Sequence, residues 1–505
     1  MSIKKNVIAN FIGRGWQIVL SVAVVPIYIK LIGFESYGLI GIFTTLLAIC
    51  TLLDFGLIGA LGREFSKVKN SSNEKENLLD ILKTVEAIYI VISFSACLLI
   101  ICVSYPIAYY WIQSSLYSSD QLQKSICLMA LAIGVQLPVN LYISGLMGLE
   151  NQVLSNILSV ITTTFRVFST ILILWLIDAS IDTFYILQIV GSLFQLFIFR
   201  TALRKIIKQK NYLYDGKLNL NKLKNLWSYS KNLGLVSILL SLLSQIDKIL
   251  LSKIVPLKIF GFYVIANSIV QLIYFFPAPI VEAANPRLTQ YVADNNYSSI
   301  RELFLTTSSL IAGITFPITA TLIFFSKEIL ELWLHDVKLV GEIWPVVSIL
   351  TLAISINVMA NTLDGLQMAY GWLKPAQIAR LIALVVVIPL MSLLVLSYGI
   401  IGAAVTWLLI FSLYIIFIPN YVFKKINIEC LGDWMKAWIP MMLINISVSF
   451  VLKIIYIESD SNLIKILEIG CFLFLNVVAT FIFNKDIKNT FFNLKTRKFK
   501  FGKIN

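Results

Sequence analysis

Apolar stretches of about 20 residues recur along the whole chain, separated by short polar or charged segments. A helix needs about 20 residues to cross the hydrocarbon core, whereas a barrel strand needs only about 10. The pattern therefore predicts membrane-spanning helices, with every backbone group satisfied inside its own segment. Fourteen spans are expected, roughly at 7–30, 38–60, 84–106, 125–148, 154–177, 182–200, 232–254, 259–281, 303–325, 343–364, 376–397, 400–422, 436–457 and 463–484. Lys4 and Lys5 precede a first run too long for a signal-peptide core, so that run is expected to stay as a span.

The charges sort by side. Arg63, Lys67, Lys69, Lys75 and Lys83, the dense run from Arg200 to Lys231, then Arg287, Arg301, Lys424, Lys425 and the tail Lys485–Lys503 fall in alternate loops and at the termini. The other loops hold scattered lysines (Lys30, Lys124, Lys258, Lys338) mixed with acids such as Glu35, Asp120, Asp178 and Asp182. Basic loops stay cytoplasmic, which places both termini inside and requires an even number of spans.

A repeat lies beneath this pattern. Tyr37-Gly38-Leu39 recurs 223 residues later as Phe260-Gly261-Phe262, and Gly148 meets Gly371 at the same shift. Arg63 and Arg287 end paired spans, one residue out of register. A six-helix unit repeated in the same orientation predicts two lobes related by a pseudo-two-fold axis along the membrane normal. The expected organisation is an N-terminal lobe over 1–200 and a basic amphipathic linker over 201–231. A C-terminal lobe over 232–423, two added spans over 424–484 and a basic tail over 485–505 complete it.

Composition narrows the function. The chain has 505 residues, of which 58% are hydrophobic and 13% charged, about half the charge density of a soluble domain. The net charge of +14 is accounted for by loop sidedness, so nucleic acid is not the expected partner. One histidine, His335, and six cysteines without a CxxC pair leave no motif for a metal or a histidine-based reaction. No P-loop lysine motif is present, and the acidic pair Glu458 and Asp460 sits in a short outer loop where a solvated turn is expected. The reading is a transporter and not an enzyme, with no cofactor beyond a coupling proton or sodium ion.

Charged residues inside apolar runs carry the candidate chemistry. A charge at bilayer depth costs about 3 kcal/mol on insertion scales, so it is kept where it faces a polar cavity or a partner. Arg14 lies in Gly13-Arg14-Gly15, too deep in its span to reach the interface, facing a cavity or pairing with Asp54 or Glu86. Arg166 follows Thr162-Thr163-Thr164, as expected of a polar cavity wall. Asp247 and Lys248 are sequence neighbours on different helix faces; Asp247 serves ion coupling or a helix-to-helix hydrogen bond. Asp54, Glu86, Glu282, Asp364 and Arg380 lie near helix ends, where gate or interface roles are expected. Prolines interrupt many spans, as in transporter helices that must bend.

These residues together resemble a polysaccharide repeat-unit flippase of the Wzx type, within the multidrug/oligosaccharidyl-lipid/polysaccharide exporter superfamily. The likeness is carried by Leu31-Ile32-Gly33-Phe34-Glu35-Ser36-Tyr37-Gly38-Leu39, Leu53-Asp54-Phe55-Gly56-Leu57 and Arg63. Gln245-Ile246-Asp247-Lys248, Phe260-Gly261-Phe262-Tyr263, Pro286-Arg287-Leu288 and Gly399-Ile400-Ile401-Gly402-Ala403-Ala404 add to it. The resemblance implies an all-α fold with two six-helix lobes around a central cavity, in the bacterial inner membrane. It implies alternating-access movement of an undecaprenyl-diphosphate-linked oligosaccharide from the cytoplasmic to the periplasmic leaflet. It further implies coupling to an ion gradient, and a polysaccharide polymerase and chain-length regulator as partners.

On this reading Arg14, Arg166, Lys248 and Arg380 receive the diphosphate or acidic sugars, because arginine offers a planar fork for phosphate oxygens. Asp54, Asp247, Asp364 and Glu86 are the ion-coupling or gate candidates. A multidrug exporter of the same superfamily, which needs an acidic cavity, and a lipid II flippase are the rival transporter readings. A membrane polysaccharide polymerase or ligase is the enzyme alternative, and the long outer loops it requires are absent from the sequence.

Overall fold

The computed structural model describes residues 3–54, 56–67, 72–209, 218, 241–372, 374–456 and 461–483, and every regular element among them is helical. Most of the expected linker, the turn containing Glu458 and Asp460, and the basic tail lie outside the described residues. The chain forms two compact units, Met1–Val264 and Ile265–Asn505.

The first unit holds α1 (Ile3–Ala23), α2 (Val25–Cys50), a 3-10 turn (Thr51–Asp54) and α3 (Leu57–Lys67). It continues with α4 (Ser72–Pro106), a π turn (Ile107–Trp111), α5 (Ser119–Gly148), α6 (Gln152–Leu176) and α7 (Ile181–Gln209). Helix α8 covers residues 241–254, and α9 (Leu257–Val270) begins in this unit. The second unit holds the end of α9, a 3-10 turn (Gln271–Tyr274), α10 (Pro277–Ala293), α11 (Tyr297–Phe324) and α12 (Ser326–Leu334). Then come α13 (Val337–Ala369), α14 (Lys374–Tyr398), α15 (Ile400–Lys425), α16 (Leu431–Ile455) and α17 (Asn462–Phe483).

Twelve helical segments among the described residues are long and apolar enough to cross a membrane. The other two expected spans would open the two predicted lobes. The first is helical but divided between α1 and the start of α2, and α1 carries Lys4, Lys5 and Arg14 within 21 residues. Of the other, 232–254, only 241–254 falls among the described residues. Helix α2 is itself interrupted at Gly33, whose φ of 82° and ψ of 174° lie outside helical space and favour glycine. The helix that follows therefore starts at Phe34, four residues before the expected span.

The order of elements repeats. The 3-10 turn at Thr51–Asp54 answers to Gln271–Tyr274, α3 to α10, α4 to α11, and the proline-containing α5 to α13. Helices α5 and α13 end alike. In each, the residue past the C-cap takes positive φ (Glu150 at 62°, Gly371 at 64°), and the next amide donates five residues back, Asn151 to Leu146 and Trp372 to Gln367.

In the first unit α3, α4, α5 and α7 enclose a core that includes Leu61, Phe65, Val85, Val139, Phe199 and Leu203. Helix α5 is started by a reciprocal cap, in which the Ser118 hydroxyl accepts from the Gln121 amide and Gln121 accepts from the Ser118 amide. In the second unit α16 and α17 are joined by Asn476 donating to Ser449 (2.8 Å) and Asn445 donating to Thr480 (2.8 Å), the polar contacts by which membrane helices associate. Ile378, Leu381, Val385 and Leu396 on α14 are exposed, as on a helix facing lipid.

Candidate functional site: a cationic wall in the first unit

Helices α1 and α6 meet along a polar seam. Asn10 donates to Gln152 (3.1 Å), Asn156 donates to Asn10 (2.6 Å) and the Trp16 indole donates to Thr164 (2.8 Å). Gly13 lies against Asn156, where a methyl group would sit 2.6 Å from its carbonyl oxygen. The absence of a side chain there lets the two backbones approach. Arg14 is exposed on α1 between these contacts, and Arg166 follows Thr164 on α6. The two deep arginines thus belong to the two helices of one seam.

Arg166 has the more informative surroundings. Its Nη1 donates to the Gln136 side-chain oxygen on α5 (3.0 Å), which also accepts from Ser192 on α7 (2.7 Å). The Gln136 amide in turn donates to Gln195 (3.4 Å). Gly191 on α7 supplies the space for the arginine stem, since a methyl group there would lie 2.6 Å from both Cγ and Cδ of Arg166. Tyr28 on α2 packs edge-on against Phe184 of α7. Arg166 makes no ion pair among the described residues, and the side chain it bonds, Gln136, is neutral. A guanidinium carries five N–H donors, so one bond to Gln136 leaves most of its donor capacity to solvent or ligand.

The other sequence candidates are distributed differently. Asp247 is 4% exposed and accepts from the Tyr263 hydroxyl on α9 (2.6 Å), while Lys248 donates to Gln245 one turn back (3.1 Å). These two neighbours diverge as their helical positions require. Asp54 accepts from the Gly56 amide (2.8 Å) and the Tyr89 hydroxyl (3.2 Å), and lines a small pocket with Asn140 and Cys50. Glu86, one turn from Tyr89 on α4, accepts from Tyr142 (2.9 Å), with Arg204 3.8 Å away. In the second unit Arg380 is ion-paired with Asp364, which also accepts from Tyr414 (2.9 Å).

The profile described as "Polysaccharide biosynthesis protein" matches residues 3–292, more than half of the chain. The chain belongs to that family. A second profile, MatE, matches residues 233–393. A "Putative O-antigen transporter" of Shigella flexneri is 19% identical over 415 residues, spanning 81% of this chain and 94% of its own length. Among solved structures, lipid II flippase MurJ in an inward closed conformation superposes with a TM-score of 0.73 at 16% identity, over 96% of this chain and 100% of that one. An inward-facing multidrug-resistance MATE transporter of the MOP superfamily gives 0.65 at 12% identity, over 83% and 96%. Both share the fold. These relatives are transporters and flippases, and this member of the polysaccharide biosynthesis family is a multi-pass membrane transporter, not an enzyme.

In this family member the charged residue of the cradle was legible from sequence and its neutral members were not. Arg166 stands out as a charge in an apolar run. Gln136, Ser192, Gln195 and Gly191 are small or neutral and come from two further helices, so spacing along the chain does not connect them. A second omission is the burial of Glu35, read from sequence as an outer-loop acid within the family motif. It is 7% exposed and holds three donors from residues 114–116.

Proposed function

We propose that this transporter is a flippase for polyprenyl-diphosphate-linked oligosaccharide repeat units. It would carry an undecaprenyl-diphosphate-linked glycan from the cytoplasmic to the periplasmic leaflet of a bacterial inner membrane, with both termini cytoplasmic. The observation that carries this reading is Arg166 in a neutral cradle of Gln136, Ser192 and Gly191. A diphosphate supplies the charge that such a guanidinium lacks among its side-chain neighbours, through bidentate hydrogen bonds. Arg14 and Lys248 add positive charge along the route, and the lipid tail stays in hydrocarbon. Family membership and the O-antigen transporter relative support the glycan class. A proton or sodium ion bound near Asp54 would provide the gradient coupling.

Multidrug export is less well supported, because Asp54 and Asp364 are already engaged by Tyr89, Gly56, Tyr414 and Arg380. Lipid II transport is the second reading, favoured by the superposition on the MurJ flippase over nearly the whole chain. The test is reconstitution in liposomes with labelled polyprenyl-diphosphate oligosaccharide or lipid II in the inner leaflet, scored by exposure to an external sugar-modifying enzyme. Protein-dependent exposure of the oligosaccharide, but not of lipid II, supports the proposal. Exposure of lipid II alone supports the second reading. Failure with both, with and without a proton or sodium gradient, rejects both.

A further inference from the structure

The repeated motif found in the sequence is a physical contact within the first unit. A methyl group on Gly38 would lie 2.6 Å from the Leu257 carbonyl oxygen, and one on Gly261 would lie 2.6 Å from the Phe34 carbonyl oxygen. Phe34 precedes Gly38 by one helical turn, and Leu257 precedes Gly261 by the same step. The contact is therefore reciprocal, each motif presenting its glycine to the other's helix start. Phe34 and Phe262 close it edge-to-face at 5.4 Å, and Gly41 continues it against Val264. Both helices break just before they meet, at Gly33 and at Val255-Pro256.

Residues 111–117, non-helical beyond Trp111, form a strap bonded to both helices of this contact. The Ser114 and Ser115 hydroxyls each donate to Glu35 at 2.5 Å, and the Leu116 amide adds a third bond at 3.1 Å. Tyr117 and Ser36 share a hydrogen bond of 2.6 Å, and burial pushes the Tyr117 phenol up, so it stays neutral. The same strap holds the other helix. The Leu257 amide donates to the Gln113 carbonyl (2.7 Å), and the Trp111 indole donates to Ser252 (2.9 Å). Glu35 has no ion pair among the described residues, so its buried charge is held by these neutral donors alone.

We infer that residues 111–117, clasped on Glu35 and on Leu257, form a releasable seal over the Gly38–Gly261 contact that closes one side of the transport route. The sequence puts this seal on the face away from the lysine-rich loops. Hydroxyl and amide bonds to a carboxylate are exchangeable with water. Gly33 and Pro256 provide the hinges. The inference rests on the flippase reading in requiring a transport cycle in which the seal opens.

The test is a Phe34→Cys/Phe262→Cys pair in full-length protein whose native cysteines are replaced, studied in membranes. Oxidation should join the pair rapidly, abolish exposure of the lipid-linked glycan, and be reversed by reductant. Adding Glu35→Ala or Gly261→Val should slow cross-linking roughly ten-fold, as expected when a charged acceptor loses its hydrogen bonds or the backbones are held apart. Complete cross-linking with transport unchanged overturns the seal, as does a cross-linking rate indifferent to both substitutions. If the unsubstituted protein moves no lipid-linked glycan, the flippase reading fails, while the cross-linking rates still decide whether Glu35 and Gly261 hold the contact closed.

Discussion

Arg166 shows how a single residue is specified by neighbours that attract no notice in sequence. Its charge was visible at once, because a cation inside an apolar run needs a reason. Its orientation comes from Gln136, and its space from Gly191. Arg166→Ala is expected to lower flipping about 10- to 100-fold at normal protein levels, the range for losing hydrogen bonds to a charged group. Arg166→Lys should recover little, since an ammonium cannot hold Gln136 and still present a fork to phosphate. Gly191→Val should reproduce much of the loss without touching any charge, because its side chain would displace the arginine stem. Liposome flipping rates of the three variants, normalised to reconstituted protein, check the assignment. Wild-type rates in Arg166→Ala would remove Arg166 from the substrate path.

The helices themselves were largely legible, because length and hydropathy decide a membrane span almost unaided. What the pattern missed were breaks within apolar runs. Gly33 has the same apolar flanks as many glycines, and only its backbone angles reveal the interruption. The short helix α12 was hidden for a related reason, as its charges read as an outer loop. In the structure Glu328 of α12, 4% exposed, is ion-paired with Lys453 of α16, and Glu331 with Lys465 of α17 (3.1 Å). Lys453 also lies over the rings of Phe325 (5.0 Å) and Tyr456 (5.1 Å). These pairs fasten the last two spans to α12. Lys453→Met should destabilise the protein by about 2 kcal/mol, the cost of a buried acceptor left without its partner. Adding Glu328→Gln should return most of that loss. Thermal unfolding of the single and double variants in detergent measures the coupling, and simple additivity would show that the pair contributes nothing.

Across the whole molecule the repeat is preserved in the order of elements but not in its charges. The cation of the first unit, Arg166, sits among neutral side chains, whereas Arg380 of the second unit is neutralised by Asp364 and braced by Tyr414. Sequence reasoning grouped both as substrate-binding cations, since a charge in an apolar run looks the same whether or not another helix supplies its partner. The distinction predicts a division of labour. Arg380→Ala alone should lower protein yield, because it strands a half-buried Asp364 carboxylate, an effect of about 1–3 kcal/mol for a charged acceptor left without its partner. The double variant Arg380→Met/Asp364→Asn removes both charges together and should restore yield and flipping to near wild-type levels. No such neutral pair can be made for Arg166, whose loss should persist whatever is changed around it. Flipping assays on equal amounts of folded protein separate these cases. If the neutralised double variant folds yet fails to move the lipid-linked glycan, Arg380 or Asp364 acts on the substrate or coupling ion, and anion selection is shared between the two units.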